Sequence, residues 1–323
     1  MAKNGKSKPA HSSSGGDGGF AKLPSAVIEL ESGFVLGARL LGAPKRGLRR
    51  LALRGLDAGV IEPSPLQINV TKPETLDKAI RAVSSAIGNG GGQTALLLPD
   101  ATVRVNILDF ETLPPKKNEL ESLLRWKIKD NLGFAAEEAR ISYQETRRAP
   151  GKIELLVIAV KKDVLAQYEG AIESTRGGPS VILPATAALL PLLPETEPGV
   201  QLLTHVCSGW VTHALVEGTR LRSWRSRQLG QSSEMAEVVS EAARAQASAR
   251  DRMGLEITRA WLCSRPLLGE GLRDSLQKTL GLAVEDLPLD RTFEAGLGAE
   301  EKPLYGLFAA PLAGMISNLG RAS

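Results

Sequence analysis

Two pairs of side chains have the types and spacing for chemistry: Glu29 and Glu31, just ahead of Ser32-Gly33, and His205 with Cys207 inside an apolar stretch. Paired carboxylates can hold a metal ion or move protons, and a histidine beside a cysteine can raise a thiolate nucleophile. Residues two apart on a strand share one face. His205 and Cys207 nevertheless lack the third, orienting group that such a nucleophile needs. The plainer assignments are a hairpin's polar face for the glutamates, a hydrogen-bonded strand residue for His205, and core fillers for Cys207 and Cys263.

Metal chemistry has little support. The histidines are His11, His205 and His213, and the pair eight residues apart has no third ligand nearby. Cys207 and Cys263 show no CxxC or Cys/His spacing. The run Gly88-Asn89-Gly90-Gly91-Gly92 precedes a strand instead of opening a helix, the wrong order for a phosphate loop, and reads as a connector. Arg220, Arg222, Arg225 and Arg227 surround Trp224, a mixture that nucleic-acid binders use. Strand alternation splits them over two faces, so a solvated strand edge or a contact to acidic lipid heads is expected, and no nucleic acid.

The elements that must position these residues follow from pattern. Residues 26–30 and 34–40 read as a hairpin turning at Glu31-Ser32-Gly33, and 45–54, with basic residues between leucines, as a third strand. Thr71 and Glu74 have capping-box spacing ahead of a helix carrying Leu76, Ala79, Ile80, Val83 and Ile87 on one stripe, with Gly88 as its left-handed terminator. The apolar run 95–98 reads as a strand buried on both faces. A small insertion is expected over about 101–161: strand 103–108, helix 117–131, strands 141–146 and 154–161. Helix 164–174 follows. Beyond a Pro-Glu link at 194–199 the order repeats with strands 201–207, 211–217 and 221–227, helix 234–252, strand 259–263, helix 271–280 and a final helix 304–319.

With 323 residues, 42% hydrophobic but only 4% aromatic, the chain can bury a large aliphatic core in two lobes, and a net charge of +4 does not by itself call for nucleic acid. No run approaches the ~18 apolar residues of a membrane span; the longest, 181–193, is broken by Pro184 and Pro191. Residues 1–24 form a basic Ser/Gly tail without an apolar signal core, so a cytoplasmic location is expected.

The stretch Leu98-Pro99-Asp100-Ala101-Thr102-Val103-Arg104-Val105-Asn106-Ile107-Leu108-Asp109-Phe110-Glu111-Thr112-Leu113-Pro114, then Glu119-Leu120-Glu121-Ser122-Leu123-Leu124-Arg125-Trp126-Lys127 and the strand at 155–160, resembles the type IV pilus assembly protein PilM of the actin-like ATPase superfamily. The resemblance implies an α/β, actin-like (ribonuclease H-like) two-lobed fold, with the first lobe over 25–198 including the α+β insertion and the second over 199–323. It implies a nucleotide cleft built from an acid and a glycine in each lobe's first hairpin and a Gly-rich adenosine turn. Where such proteins carry Asp-Ile-Gly-Ser-Ser, this chain has Glu29-Leu30-Glu31-Ser32-Gly33. His205-Val206-Cys207 replaces the second acid and glycine, and Ser264-Arg265 the adenosine turn. A carboxylate about 4 Å from a phosphate charge costs roughly 4 kcal/mol at a dielectric near 20, half of the roughly 8 kcal/mol of a micromolar ligand.

The cleft is therefore expected to be degenerate at Glu29, Glu31, His205, Cys207, Ser264 and Arg265. The expected function is a scaffold without ATP hydrolysis, with no cofactor unless ATP and Mg bind despite the motifs. Its implied partners are the cytoplasmic tail of a PilN-like inner-membrane protein, held between the first-lobe core and the insertion, and other pilus platform proteins. Membrane association would be peripheral, through the partner. Alternatives are an ATP-binding PilM-type switch and the cytoplasmic module of a type II secretion platform; the latter normally continues into a membrane span. On the insertion helix Leu120, Leu124 and Ile128 form one stripe, while Trp126 projects about 160 to 200 degrees away and is the partner-binding candidate.

Overall fold

Alternation along two short strands decides the architecture. The computed structural model describes residues 24–41, 47–88, 93–173, 178–195, 199–230, 234–265 and 271–321. The expected tail, the Lys45-Arg46 start of the third strand, the glycines at 90–92 and the middle of the link at 196–198 lie outside these residues.

Strands β1 (Ala26–Leu30), β2 (Phe34–Leu40) and β3 (Leu48–Gly55) form an antiparallel meander, and helix α1 (Pro73–Ala86) leads to β4 (Thr94–Leu98), parallel to β1. Then come β5 (Val103–Phe110), α2 (Lys117–Leu132), β6 (Ala139–Ala149) and β7 (Lys152–Lys161), which make a separate antiparallel sheet of order β5-β7-β6. Helix α3 (Lys162–Glu173) returns the chain to β8 (Pro179–Pro184), completing a first sheet of order β3-β2-β1-β4-β8, and α4 (Ala185–Leu189) ends it. The design repeats as β9 (Val200–Cys207), β10 (Trp210–Glu217), β11 (Arg220–Gln228), α5 (Glu234–Met253), β12 (Ile257–Arg265), α6 (Leu272–Leu280) and β13 (Val284–Asp286), in a sheet of order β11-β10-β9-β12-β13. Helices α7 (Lys302–Phe308) and α8 (Ala310–Arg321) close the fold.

On β1, Ile28 and Leu30 pack with Leu96 and Leu98 of β4 against Leu76, Ile80 and Val83 of α1 and Tyr168 and Ile172 of α3. Val27, on the opposite face, joins a core shared with Leu203 and Cys207 of β9, Trp261 and Cys263 of β12, and Leu312, Ala313 and Ile316 of α8. The two sheets thus face each other across one apolar layer. The second sheet's outer face is covered by α5 and α6.

Several expectations are corrected. The capping box does not form: Lys72 is the N-cap, Pro73 opens α1, and the Thr71 hydroxyl donates instead to the carbonyls of Gly59 and Val60. The final helix is two, broken at Ala309, because Pro311 has no N–H to continue the ladder and sits instead in the first turn of α8, where none is needed. The run 181–193 holds strand β8, whose flanking prolines suit an edge position, and α4. The arginines of β11 are not a solvated edge alone: Arg220 donates to Glu154 of the insertion at 2.8 Å, and Arg222 to Glu217.

Helices α4 and α8 meet at Gly314, where a Cβ would lie 1.8 Å from the Ala188 carbonyl oxygen, a backbone atom that cannot rotate away. Gly314→Ala is therefore expected to lower the unfolding free energy by roughly 2 to 3 kcal/mol through overpacking. Urea unfolding reads this out, and an unchanged midpoint would contradict the close approach.

Candidate functional site

The two opening hairpins bring their turns together. Glu29 shares a face of β1 with Val27, so its carboxylate enters the layer between the sheets. Glu31 closes the first turn through its N–H to the Phe34 carbonyl at 3.0 Å. On the other side β9 delivers His205 and Cys207 to a two-residue turn at Ser208 (φ 50) and Gly209 (φ 76), the left-handed pair that tight hairpins favour. The turns touch: Ser32 Oγ is 3.5 Å from the Ser208 carbonyl, and a Cβ at Gly33 would stand 3.8 Å from Ser208 Oγ.

Between them lies one buried cation. Arg265, at the end of β12, donates through Nη2 to Glu29 Oε1 at 2.7 Å and through Nη1 to Glu29 Oε2 at 3.0 Å, and Nη1 also reaches the Phe308 carbonyl at 3.0 Å. Both side chains are within 1% of complete burial. Burial works against the Arg265 charge, but the Glu29 carboxylate outweighs it and raises the guanidinium pKa above its ordinary value.

Arg265 also donates to His205 Nε2, from Nε at 3.3 Å and Nη2 at 3.1 Å. A ring nitrogen that accepts from a guanidinium carries no proton, so His205 is the neutral tautomer with its hydrogen on Nδ1. That nitrogen is 2.6 Å from Thr186 Oγ1 and 3.3 Å from Asp100 Oδ2. Thr186 in turn donates its N–H to Asp100 Oδ1 at 2.9 Å and its hydroxyl to Oδ2. Burial lowers the His205 pKa below its ordinary value, and its contact with Asp100 is a hydrogen bond rather than an ion pair. Burial also opposes the Asp100 carboxylate, but hydrogen bonds from His205 and Thr186 outweigh it and draw the pKa down. At Glu31 burial, with Glu29 nearby, outweighs the Arg265 charge and a hydrogen bond with Cys207 and pushes the carboxyl well up.

The structure thus gathers Glu29, Glu31, His205, Cys207 and Arg265 in one cluster. Ser264 falls on the opposite face of β12 by alternation. Asp100, Thr186 and the Phe308 carbonyl went unpredicted; an acid just past the end of a parallel strand, where α/β sheets gather ligands, was the available signal for Asp100. The orienting groups missing from the sequence are therefore present at His205, yet no thiolate is made. Cys207 contacts Ser208 Oγ at 3.6 Å, and burial, with Glu31 beside it, drives its thiol pKa well up. A cavity of about 10 Å³ remains, lined by Glu31, Asp100, His205 and Cys207 among others, room for a single water.

Trp126 stands apart on α2, 59% exposed, with Lys127 and Lys129 ammonium groups 5.5 and 5.8 Å from its ring, while Leu120, Leu124 and Ile128 are buried. Seven residues on, Gly133 lies on the same side of the helix, and Leu66 packs there. Leu66 and Ile68, from the loop between β3 and α1, are also exposed, and Leu66 lies at the seam between that loop and the insertion.

Removing one partner of a buried ion pair strands the other charge. Arg265→Met should accordingly cost about 3 to 5 kcal/mol, with Glu29→Leu/Arg265→Met recovering much of the loss; a double variant no better than the single would show that the pair is not what Glu29 needs. Glu31 gives a pH signature. Between the ordinary carboxylate value and its raised native value the folded state holds a proton that the unfolded state lacks, so this residue makes stability fall as pH rises. Glu31→Gln should stabilise the protein at neutral pH and lose that advantage below the ordinary carboxylate range. Thermal unfolding across pH 3 to 8 (about the range where carboxylates titrate) checks the sign.

No protein-family model matches the chain, and no curated protein matches its sequence. Solved structures do match. A chain of a PilM-PilN type IV pilus biogenesis complex is similar at a TM-score of 0.78 and 17% identity, over 93% of this chain and 99% of that one. The cytoplasmic domain of EpsL, an inner-membrane component of the Vibrio cholerae type II secretion system, matches at 0.51 and 10%, over 92% and 94%. A Bacteroides thetaiotaomicron protein of actin-like ATPase fold and unknown function matches at 0.51 and 11%, over 84% and 94%. At these identities the likeness is one of fold, and the chain has the two-sheeted actin-like fold in the form seen in PilM.

Proposed function

We propose that this chain is a scaffold of a type IV pilus assembly platform that holds the cytoplasmic tail of a PilN-like inner-membrane protein and does not hydrolyse ATP. The observation that carries the second half is the bidentate Arg265–Glu29 pair. In actin-like ATPases phosphates and metal sit between the two first hairpins; here those turns touch, a buried ion pair fills the space behind them, and about 10 Å³ remains. The residues present do not fit Mg-ATP. Glu31 would add a carboxyl where phosphate needs a backbone approach, and Arg265 is already neutralised by Glu29.

The partner half rests on the likeness to a PilM-PilN complex, on the exposed Trp126 of the insertion helix and on the exposed Leu66 that packs at that helix's end. Tryptophan there offers a large contact area, and the two lysines beside it suit a segment with acidic or carbonyl acceptors. The protein would work at the inner face of the inner membrane, associated through its partner; among the described residues no helix is long and apolar enough to cross a bilayer. A pilus platform is favoured over a type II secretion platform because the fold likeness is 0.78 against 0.51 in TM-score.

Calorimetry with the full chain tests both halves. Mg-ATP is expected to give no binding heat with the wild type or with Glu31→Gly, since the glycine leaves the Arg265–Glu29 pair in place; micromolar binding would restore nucleotide control. A peptide of a PilN-like cytoplasmic tail should bind, and Trp126→Ala should weaken it about tenfold without changing the melting temperature. No binding of that peptide by the wild type would sink the partner assignment.

A further inference from the structure

Outside the cleft, charge is concentrated where β11 meets α5. Arg225 Nε lies 3.1 Å from Glu241 Oε2, Arg227 Nη1 lies 3.1 Å from Oε1, and Arg244, one turn along α5, bonds Oε1 as well. Glu241 is buried, whereas each of the three guanidiniums is about half exposed. One carboxylate anchors three cations, so the cluster carries a net charge of +2 from these four groups. His213, the cross-strand neighbour of Arg225, is held neutral with its pKa at about 3 by burial, and Glu237 accepts from the Gly230 N–H at 2.9 Å. Each guanidinium has five donors and spends only part of them on Glu241.

The strand that carries two of these arginines is the outer strand of its sheet. Among the described residues β11 is hydrogen-bonded in a sheet to β10 alone. The strand also packs on β5 and Asp100–Thr102, and its exposed part is the far end at Arg225, Arg227 and Gln228, where the edge away from β10 offers N–H and C=O groups at every second residue. Arg225 and Arg227, two apart, stand on one face of that edge.

We propose that the outer edge of β11 binds an extended acidic segment of a partner protein, which adds as a further strand with carboxylates at alternate positions facing Arg225, Arg227 and Arg244. Side chains directly opposite on paired strands sit about 5 Å apart, within reach of a charge-assisted hydrogen bond. The same ladder rejects a neutral or basic strand, which would leave the excess positive charge unanswered, and rejects a second copy of β11 by like-charge repulsion. A lipid surface fits less well. The exposed large apolar side chains among the described residues are Leu66, Ile68, Trp126 and Leu307, none of them on β11 or α5 to enter the headgroup layer. This surface is separate from the seam at Trp126.

The test is fluorescence anisotropy of the full chain with a labelled synthetic peptide alternating Glu with Thr and Val, against the same peptide with Gln for Glu and against one with its glutamates in a single block. The alternating acidic peptide should bind saturably and weaken with salt, with the other two at least about tenfold weaker. Arg225→Lys/Arg227→Lys should retain most of the affinity, and Arg225→Gln/Arg227→Gln should lose at least about tenfold. Because the glutamine pair leaves Glu241 short of counter-charge, Arg225→Gln/Arg227→Gln/Glu241→Gln provides the same loss in a protein whose buried charge has also been removed. The proposal is overturned if the acidic peptide does not saturate, if the Gln or block peptide binds equally, if the glutamine variants bind as the wild type does, or if vesicles rich in phosphatidylglycerol bind β11 in place of the peptide.

Discussion

The ion pair between Glu29 and Arg265 governs how the two sheets can sit. A guanidinium and a carboxylate taken fully out of water lose several kcal/mol each of solvation, and only close, bidentate geometry with further acceptors offsets that loss. Here the geometry is bidentate and the further acceptors are His205 Nε2 and the Phe308 carbonyl. The pair therefore adds little to net stability but is intolerant of displacement: if the sheets slid apart by a water's diameter, both charges would be stranded in an apolar layer. Its effect is to specify one arrangement of the lobes. The Asp100–Thr186–His205 chain extends this specification, because it fixes the tautomer that leaves His205 able to accept from Arg265.

The surrounding packing points the same way. The layer holding the pair contains side chains from β1, β9, β12, α4 and α8 in one continuous core, and at Gly314 the backbones of α4 and α8 come close enough to exclude a methyl group. Glu301, at the start of α7, accepts the N–H of Leu51 on edge strand β3 at 3.1 Å, so the chain's last helices are tied to its first sheet. A polar strut and a shared apolar layer thus occupy the same place and leave room there for a single water.

Much of this was legible in the residue pattern, and the failures have identifiable causes. Apolar runs bounded by turn residues found the repeated strand–strand–strand–helix–strand order, and the three- and four-residue spacing in 120–128 found the helix of the insertion, because both reflect burial directly. Replacement of glycine by Glu31, and of the second acid and glycine by His205 and Cys207, marked the cleft as altered. Arg265 was marked only as standing in place of the adenosine turn; its pairing with Glu29, 236 residues away, has no local signature. Thr186 was missed because it is unremarkable until the fold sets it against His205, whereas Asp100 carried the signal of an acid just past the end of a parallel strand, which went unread. Local signals misled where tertiary contacts outcompeted them: Thr71 serves the carbonyls of Gly59 and Val60 in place of its own helix, and Pro311 divides a stripe that hydrophobicity alone would join.

Strand β11 joins the remaining surfaces. Its first residue, Arg220, is bound to Glu154, a nearly buried carboxylate on β7 of the insertion, and that pairing draws the Glu154 pKa down against the cost of burial. The insertion is held on its other flank by Lys161, which reaches the Leu66 carbonyl at 3.5 Å beside the exposed seam. The insertion is thus tied on two sides, once to the loop before α1 and once to the start of the strand whose far end carries Arg225 and Arg227. The exposed loop at Leu66 and the arginine-bearing edge therefore sit on elements that the insertion joins directly, so displacing it has to break one of these two bonds.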